Sequence, residues 1–361
     1  MAAPPPRRVA ILGYGLAGRV FHAPLIAATP QLEVAAIVTA DPGRAARARH
    51  DHPEAQVLAD SDALFDHADE FGLVVVATPN QFHLPLALRS IESGLAVVVD
   101  KPLAASAADG RRLIERSRAA GVPLTVFQNR RWDGDFLTLR SLLDQGRLGR
   151  IHRFESRFQR WRPEVAEKSW REIPDPARAG GLLYDLGSHL IDQALQLFGP
   201  VSAVYAELDR RREGSAVDDD DFIALTHAGG VRSHLWMSAL VAQLGPRFRV
   251  LSDRTGYTKY GLDGQEAQLV AGLLPGSEGW GKEAAEDHGF LGTGEYGEVI
   301  PTLPGAYQDF YSGVAAALAA ATPPPVDPQD ALAALVVIEA ARLSASTREV
   351  VRLGQNASPS E

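Results

Sequence analysis

Asp185, His189 and Asp192 stand four and three residues apart in the stretch Gly180-Gly181-Leu182-Leu183-Tyr184-Asp185-Leu186-Gly187-Ser188-His189-Leu190-Ile191-Asp192. On a helix this spacing projects all three from one face and leaves the leucines and Ile191 for a buried side. A histidine one turn from a carboxylate can take a proton near neutral pH. Asp185 can then hold a substrate hydroxyl or steady the imidazolium. Elsewhere a lone His–Asp pair is usually a structural bridge; here the glycine pair at the helix start favours close approach of another group. A second chemical group is Lys101, in Asp100-Lys101-Pro102 after the apolar run Ala96–Val99. A lysine there can hydrogen-bond a substrate hydroxyl and stabilise a developing alkoxide; the plainer reading is a surface lysine beside a turn proline.

A third pattern is Gly13-Tyr14-Gly15-Leu16-Ala17-Gly18, directly after the apolar run Val9-Ala10-Ile11-Leu12. Between a strand and a helix, the first glycine of such a pattern permits a tight turn. The second admits backbone close to a pyrophosphate, and the third lets helix pack on sheet. The backbone N–H groups at the helix start favour the phosphates. This predicts dinucleotide binding through Gly13 to Gly18. The second strand ends at Val38-Thr39-Ala40-Asp41, so its tip is Thr39 rather than the carboxylate that grips an NAD ribose. Arg44 follows and can meet a 2′-phosphate. Asp41 dissents, unless it caps the helix that Pro42 begins. The balance favours NADP over NAD. The segment Thr78-Pro79-Asn80-Gln81-Phe82-His83, after the apolar run Leu73–Ala77, is expected to line the cofactor cleft together with Lys101 and Pro102. His83 is equally readable as a helix-capping residue and is not assigned to catalysis.

These groups need elements to hold them. Residues 8–127 alternate strand and helix: strands at Arg8–Leu12, Leu32–Thr39, Gln56–Leu58, Leu73–Ala77, Ala96–Val99 and Val122–Phe127. Helices lie between them at about residues 16–28, 84–93 and 107–120, the last capped by Ser106 and stopped by Gly121. That order calls for a parallel sheet covered by helices. After Gln128 the pattern changes to short strands at residues 151–161, 201–208, 222–227, 231–238 and 247–251, with helices at 136–145, 181–197 and 328–346 and a last strand at 349–353. The fold class is therefore α/β: an N-terminal Rossmann domain over residues 1–128 and a C-terminal α+β domain over 129–361 with a large, mostly antiparallel open sheet. The run Asp218–Asp221 is expected to be a solvated turn rather than a metal site, since consecutive carboxylates on a strand point to opposite faces. No metal is expected. Residues 354–361 are expected to fray.

Composition narrows the function. The 361 residues carry a net charge of −9, which argues against nucleic-acid binding. There is no cysteine, so disulfides, thiolate nucleophiles and cysteine-ligated metals are excluded. No stretch approaches the ~18 apolar residues of a membrane span, and the Ala/Pro-rich start lacks a signal-peptide core. A cytoplasmic enzyme is the expectation.

Together, the glycine pattern, the Thr78-Pro79-Asn80…His83 segment, Lys101-Pro102 and the Gly-Gly…Asp…His…Asp helix resemble the glucose–fructose oxidoreductase/inositol dehydrogenase (Gfo/Idh/MocA) family. Asp100 departs from the Glu common before the Lys-Pro pair but keeps the charge. Phe21-His22-Ala23-Pro24-Leu25 and Gln128-Asn129-Arg130-Arg131-Trp132-Asp133-Gly134-Asp135 look like the branch holding NADP-linked scyllo-inositol dehydrogenases. The resemblance implies hydride transfer between NADP or NAD and a cyclic polyol or sugar. It implies Lys101, Asp185 and His189 as the catalytic group, and a homodimer or higher homo-oligomer through the C-terminal sheet. Arg130, Trp132, Trp161, Arg162 and Tyr307 are candidates to ring the substrate, since aromatic faces and charged donors suit sugars; sheet surface, dimer contact or core explains them otherwise. Three alternatives stay open: a non-catalytic NADP-sensing regulator, an NAD-using glycosidase-like enzyme, and an imine or biliverdin-type reductase.

Overall fold

A computed structural model of the chain describes residues 5–165 and 169–354. The fraying expected at the carboxyl end falls, past Gly354, outside the described residues. Two compact units form. The first runs to Trp132 and takes in Gly264–Gly281 and Ala306–Ala331; the second holds Asp133–Asp263, Lys282–Gly305 and the chain from Leu332. Two segments beyond the expected boundary at Gln128 thus pack with the first unit.

The first unit is built on β1 (Arg7–Leu12), β2 (Leu32–Val38), β3 (Gln56–Leu58), β4 (Leu73–Val76), β5 (Ala96–Asp100) and β6 (Leu124–Phe127). All pair parallel, in the order β3-β2-β1-β4-β5-β6. The order reverses between β1 and β4, the crevice where such sheets bind ligands at their carboxyl ends. Val74, Val75, Val98 and Val99 are wholly buried, which explains their continuous apolar runs: helices cover both faces. Those helices are α1 (Ala23–Ala27), α2 (Pro42–Asp51), α3 (Ser61–Phe65), α4 (His83–Glu92) and α5 (Ala107–Ala120). A π-turn, Ala17–His22, leads into α1. Asp41 caps α2 by accepting the Arg44 N–H at 2.8 Å, with Pro42 in the first turn. Ser106 caps α5, and Gly121 ends it at φ 65°. The later segments add α8 (Gln265–Val270) and α9 (Gln308–Ala320) to this unit.

The second unit carries α6 (Gly134–Asp144), β7 (Ile151–Gln159) and α7 (Ser188–Phe198), the last entered through a π-turn at Leu183–Gly187. Its sheet continues with β8 (Val201–Asp209), β9 (Asp220–His227), β10 (Arg232–Ser238), β11 (Phe248–Ser252), β12 (Gly256–Lys259), β13 (Gly289–Thr293), β14 (Tyr296–Ile300) and β15 (Val351–Arg352). Nine strands lie in the order β14-β13-β12-β11-β7-β10-β9-β8-β15, antiparallel except for the parallel pair β7–β10. Burial alternates along β9, as in a sheet with one packed and one open face. The long helix α10 (Pro328–Thr347) precedes β15. No helix among the described residues is long and apolar enough to cross a membrane.

Candidate functional site

The three glycines of the first loop separate into three physical roles. Gly13 has φ +101°, and a Cβ there would lie 2.5 Å from the Ala77 carbonyl oxygen. A Cβ on Gly18 would overlap the Gly13 carbonyl oxygen. These two positions are closed by the protein itself. Gly15 is open: its nearest neighbour would be Arg44 Nη1 at 4.0 Å. Space at the middle glycine beside a guanidinium is what a pyrophosphate approaching the backbone requires. The buried Thr78 hydroxyl, just past β4 on the same sheet edge, has no protein partner. The residues present therefore fit a dinucleotide.

The remaining predicted cofactor residues divide. Leu16 is exposed, and Ala17 opens the π-turn. Tyr14 turns inward, donating to Asp51 Oδ2 at 2.9 Å; burial and Asp51 raise its phenol well above the ordinary value. Only its backbone is left to face a ligand. Thr39 is buried, with its N–H on the Leu58 carbonyl. Pro79 leads into a short 3₁₀ turn that begins at Asn80, which is buried. His83 is wholly buried, with Nδ1 2.8 Å from the Pro102 carbonyl oxygen and Nε2 2.9 Å from that of Thr78. Its ring is engaged by the protein's own backbone.

Lys101 follows β5 and is joined to Pro102 by a cis peptide bond. Its N–H donates to Asp100 Oδ1 at 2.9 Å. His22 Nε2 stands 3.8 Å from the same oxygen, and the other nitrogen of that ring is 2.6 Å from the Tyr311 hydroxyl. Burial pushes Asp100 up, but His22 and then Lys101 and His83 outweigh it and hold the carboxyl below its ordinary value. Burial raises the Tyr311 phenol well above its own. The sequence reading did not single out His22, Asp100 or Tyr311 as a group. The one signal was a histidine on the apolar helix face of Phe21-His22-Ala23-Pro24-Leu25.

In the second unit, Asp185 lies in the π-turn and His189 in the first turn of α7. His189 and Asp192 are buried, while Asp185 keeps a quarter of its side chain exposed and sits 3.3 Å from Arg171 Nε. The glycine pair is tightly held. A Cβ on Gly180 would lie 2.5 Å from the Arg171 carbonyl oxygen, and one on Gly181 would strike the Asp218 carboxylate. Asp218 also accepts the Leu183 N–H at 2.7 Å, fixing the start of the turn. Further along α7, Gln193 receives Arg247 Nη2 at 2.8 Å. Arg247 is itself buried against Asp135 at 3.2 Å and Ser156 at 2.7 Å. The helix bearing His189 is thus pinned at both ends.

The expected solvated turn at Asp218–Asp221 is corrected. Asp219 and Asp221 are buried. Asp219 accepts Arg211 N at 2.7 Å and Arg212 Nε at 3.0 Å, which repays its loss of water. Burial, then Asp218, pushes Asp221 well above the carboxylate range. Among the described residues no group of His, Asp and Glu could hold a metal ion.

The candidate substrate residues are placed as follows. Arg130 is buried and paired with Glu266 at 2.8 Å. Trp132 packs edge-on against Phe310, ring centroids 5.7 Å apart. Tyr307 is wholly buried, 6.3 Å between its ring centroid and that of Phe21. These three are built into the first unit's packing. Trp161 is 58% exposed and bridges to Leu240, and Arg162 is exposed beside it in the second unit.

Comparison with known proteins agrees with this division. Residues 7–128 match the model of an oxidoreductase family with an NAD-binding Rossmann fold, and residues 136–258 match the GFO/IDH/MocA C-terminal domain. The chain belongs to the GFO/IDH/MocA family. Within it, the chain is 36% identical to scyllo-inositol 2-dehydrogenase (NADP(+)) IolW of Bacillus subtilis, covering 96% of each chain. It is 38% identical to the oxidoreductase YdgJ of Escherichia coli over 96% of this chain and 98% of that one. The solved structure of the putative oxidoreductase yvaA from Bacillus subtilis superposes with a TM-score of 0.90 at 33% identity, over 97% of this chain and 99% of the other. The protein is accordingly an NAD(P)-binding oxidoreductase of this family.

Proposed function

We propose that this GFO/IDH/MocA member interconverts a secondary alcohol of a cyclic polyol or sugar with its ketone, using NADP, and that scyllo-inositol is the first substrate to try. The observation that carries the reading is the buried His189 one turn after a half-open Asp185, on a helix that Asp218 and Arg247 fix. A proton acceptor next to a carboxylate of this kind suits a hydroxyl substrate.

Bound nicotinamide supplies the hydride acceptor; the rest is protein chemistry. His189 takes the hydroxyl proton. Lys101 donates a hydrogen bond to the oxygen on which charge develops. Asp185 holds a neighbouring hydroxyl or supports the charged imidazole. In the other direction His189 returns the proton to the ketone oxygen. Gly15 and the α1 entry carry the pyrophosphate. Arg44 pairs with the adenosine 2′-phosphate, a role supported by its place beside Gly15. Self-association through the open face of the nine-stranded sheet belongs to the same reading. It is supported by the half-exposed rings of Phe222, His234 and Trp236, which pack on one another there.

The test is a panel of inositols, other cyclic polyols and aldoses with NADP and with NAD, followed at the reduced-nicotinamide absorbance band. Turnover of at least one polyol, faster with NADP, is expected. Silence across the panel with both nucleotides, in protein that binds NADPH, would remove the alcohol-oxidation reading.

A further inference from the structure

The ring of His83 lies between two backbone carbonyls in the first unit. Nδ1 is 2.8 Å from the oxygen of Pro102 and Nε2 is 2.9 Å from the oxygen of Thr78. Both partners are acceptors only, so each contact needs a proton on the ring nitrogen. A neutral imidazole carries one such proton. Its other nitrogen would turn a lone pair on a carbonyl oxygen at hydrogen-bond distance, with no water to relieve it, because His83 is wholly buried. Only the imidazolium satisfies both contacts.

We propose that His83 is a doubly protonated staple that ties the loop after β4 to the loop after β5 and thereby positions Lys101 and Thr78 at the nucleotide edge. The two carbonyls belong to the segments leaving adjacent strands: Thr78 stands two residues past Val76, and Pro102 directly follows Lys101. A rigid link at that place sets the spacing of both segments at once.

The charge balance is local. Asp100, at the end of β5, is the counter-ion. It is held as carboxylate by His22, which faces it from the π-turn at 3.8 Å and is backed by the Tyr311 hydroxyl from α9. Burial pulls His83 below the ordinary histidine value, and Lys101 adds to that pull; Asp100 and the two carbonyl contacts oppose it. The geometry of two short contacts to two acceptors decides the direction in favour of the charged ring. His83 is a positioning residue: both nitrogens are used within the protein.

The protonation half of the proposal is independent of the proposed substrate, while the positioning half rests on the chain's binding a nicotinamide nucleotide. The first experiment is long-range proton–nitrogen correlation spectroscopy of the full-length, nitrogen-15-labelled protein from about pH 6 to about pH 9, the span in which histidines titrate. The His83 ring is assigned by its through-space contacts to the Pro102 side chain, so no variant is needed. Both nitrogens protonated at neutral pH is the expected result; one bare ring nitrogen there overturns the proposal. The second experiment is NADPH binding by nucleotide fluorescence. His83→Gln keeps one donor, and a rise in Kd of about tenfold is expected, the equivalent of one lost hydrogen bond. Unchanged affinity overturns the positioning role. Should that variant not fold, Asp100→Asn removes the counter-ion instead. A His83 ring that turns neutral in Asp100→Asn, with weakened NADPH binding, supports the staple, and a ring unaffected by the loss of Asp100 refutes the charge balance. Failure of every polyol in the substrate panel leaves each of these readings standing.

Discussion

Two buried carboxyls, one in each unit, are driven in opposite directions. Asp100 sits among His22, Lys101 and His83 and is held below the ordinary carboxylate value, although burial alone would raise it. Asp221 sits among Asp218, Asp219 and Asp220, and burial and its neighbours add rather than oppose. The lesson is that burial sets only the cost of charge, and the company a group keeps decides its sign. Asp135 makes the point within the second unit. It is as buried as Asp221 but has the Arg247 guanidinium at 3.2 Å.

That contrast can be broken in graded steps. The largest effect is expected at Arg247. Arg247→Ala strands Asp135 without its cation and should cost about 3–5 kcal/mol in chemical denaturation; a loss below about 1 kcal/mol, the worth of a surface pair, would show that Asp135 does not depend on it. Next is Lys101→Ala, which asks whether the cations around Asp100 do chemistry as well as pairing. A fall in kcat of about 10²-fold, some 2.7 kcal/mol of transition-state stabilisation, is expected on the first substrate identified. Wild-type turnover would reduce Lys101 to a structural partner.

Asp100→Asn comes third, at about 1–3 kcal/mol of stability near neutral pH. The sign follows from the depressed value: the contribution of Asp100 is present above the unfolded carboxyl's value and is lost as pH falls through the folded one. Melting curves of wild type and Asp100→Asn should therefore converge in acid. Smallest, and opposite in sign, is Asp221→Asn. A raised value gives stability that is full below the unfolded carboxyl's value and is lost as pH rises through the folded one. Asp221→Asn should match wild type in acid and exceed it by up to about 1 kcal/mol at higher pH. If the two variants shift in the same direction across pH, the comparison fails.

The legibility of the sequence follows the same division. β1, β2, β4, β5 and β6 announce themselves as apolar runs because helices cover both faces of their sheet. In the second unit β7 to β11 are readable from alternation, but β12 to β14 are not. They are short and rich in glycine, and their outer members are exposed: Tyr296 is 85% accessible and Val299 61%. Lacking a packed face, such strands leave little pattern. The assignment of Gly264–Gly281 and Ala306–Ala331 to the first unit was also invisible, since chain order carries no record of which core a later helix joins. Among the site residues, the glycines, Lys101, Asp185 and His189 were legible because their role depends on spacing along the chain. His22, Arg171, Asp218 and Arg247 were not. Their partners are distant in sequence, and the run Asp218–Asp221 looked solvated because nothing local shows that Arg211 and Arg212 fold back on it.

One feature recurs in both units: a helix that bears functional residues begins with a widened turn, Ala17–His22 ahead of α1 and Leu183–Gly187 ahead of α7. Such a turn houses one residue more than the regular coil needs. Everything downstream inherits its rotation from that surplus. Excising a single residue there would let the coil rewind and swing the following side chains by about 100°, so that His189 would leave its bearing with its chemistry untouched. Length, as much as identity, is therefore written into these two entrances, and a one-residue deletion should do damage there that no nearby exchange of side chain could equal.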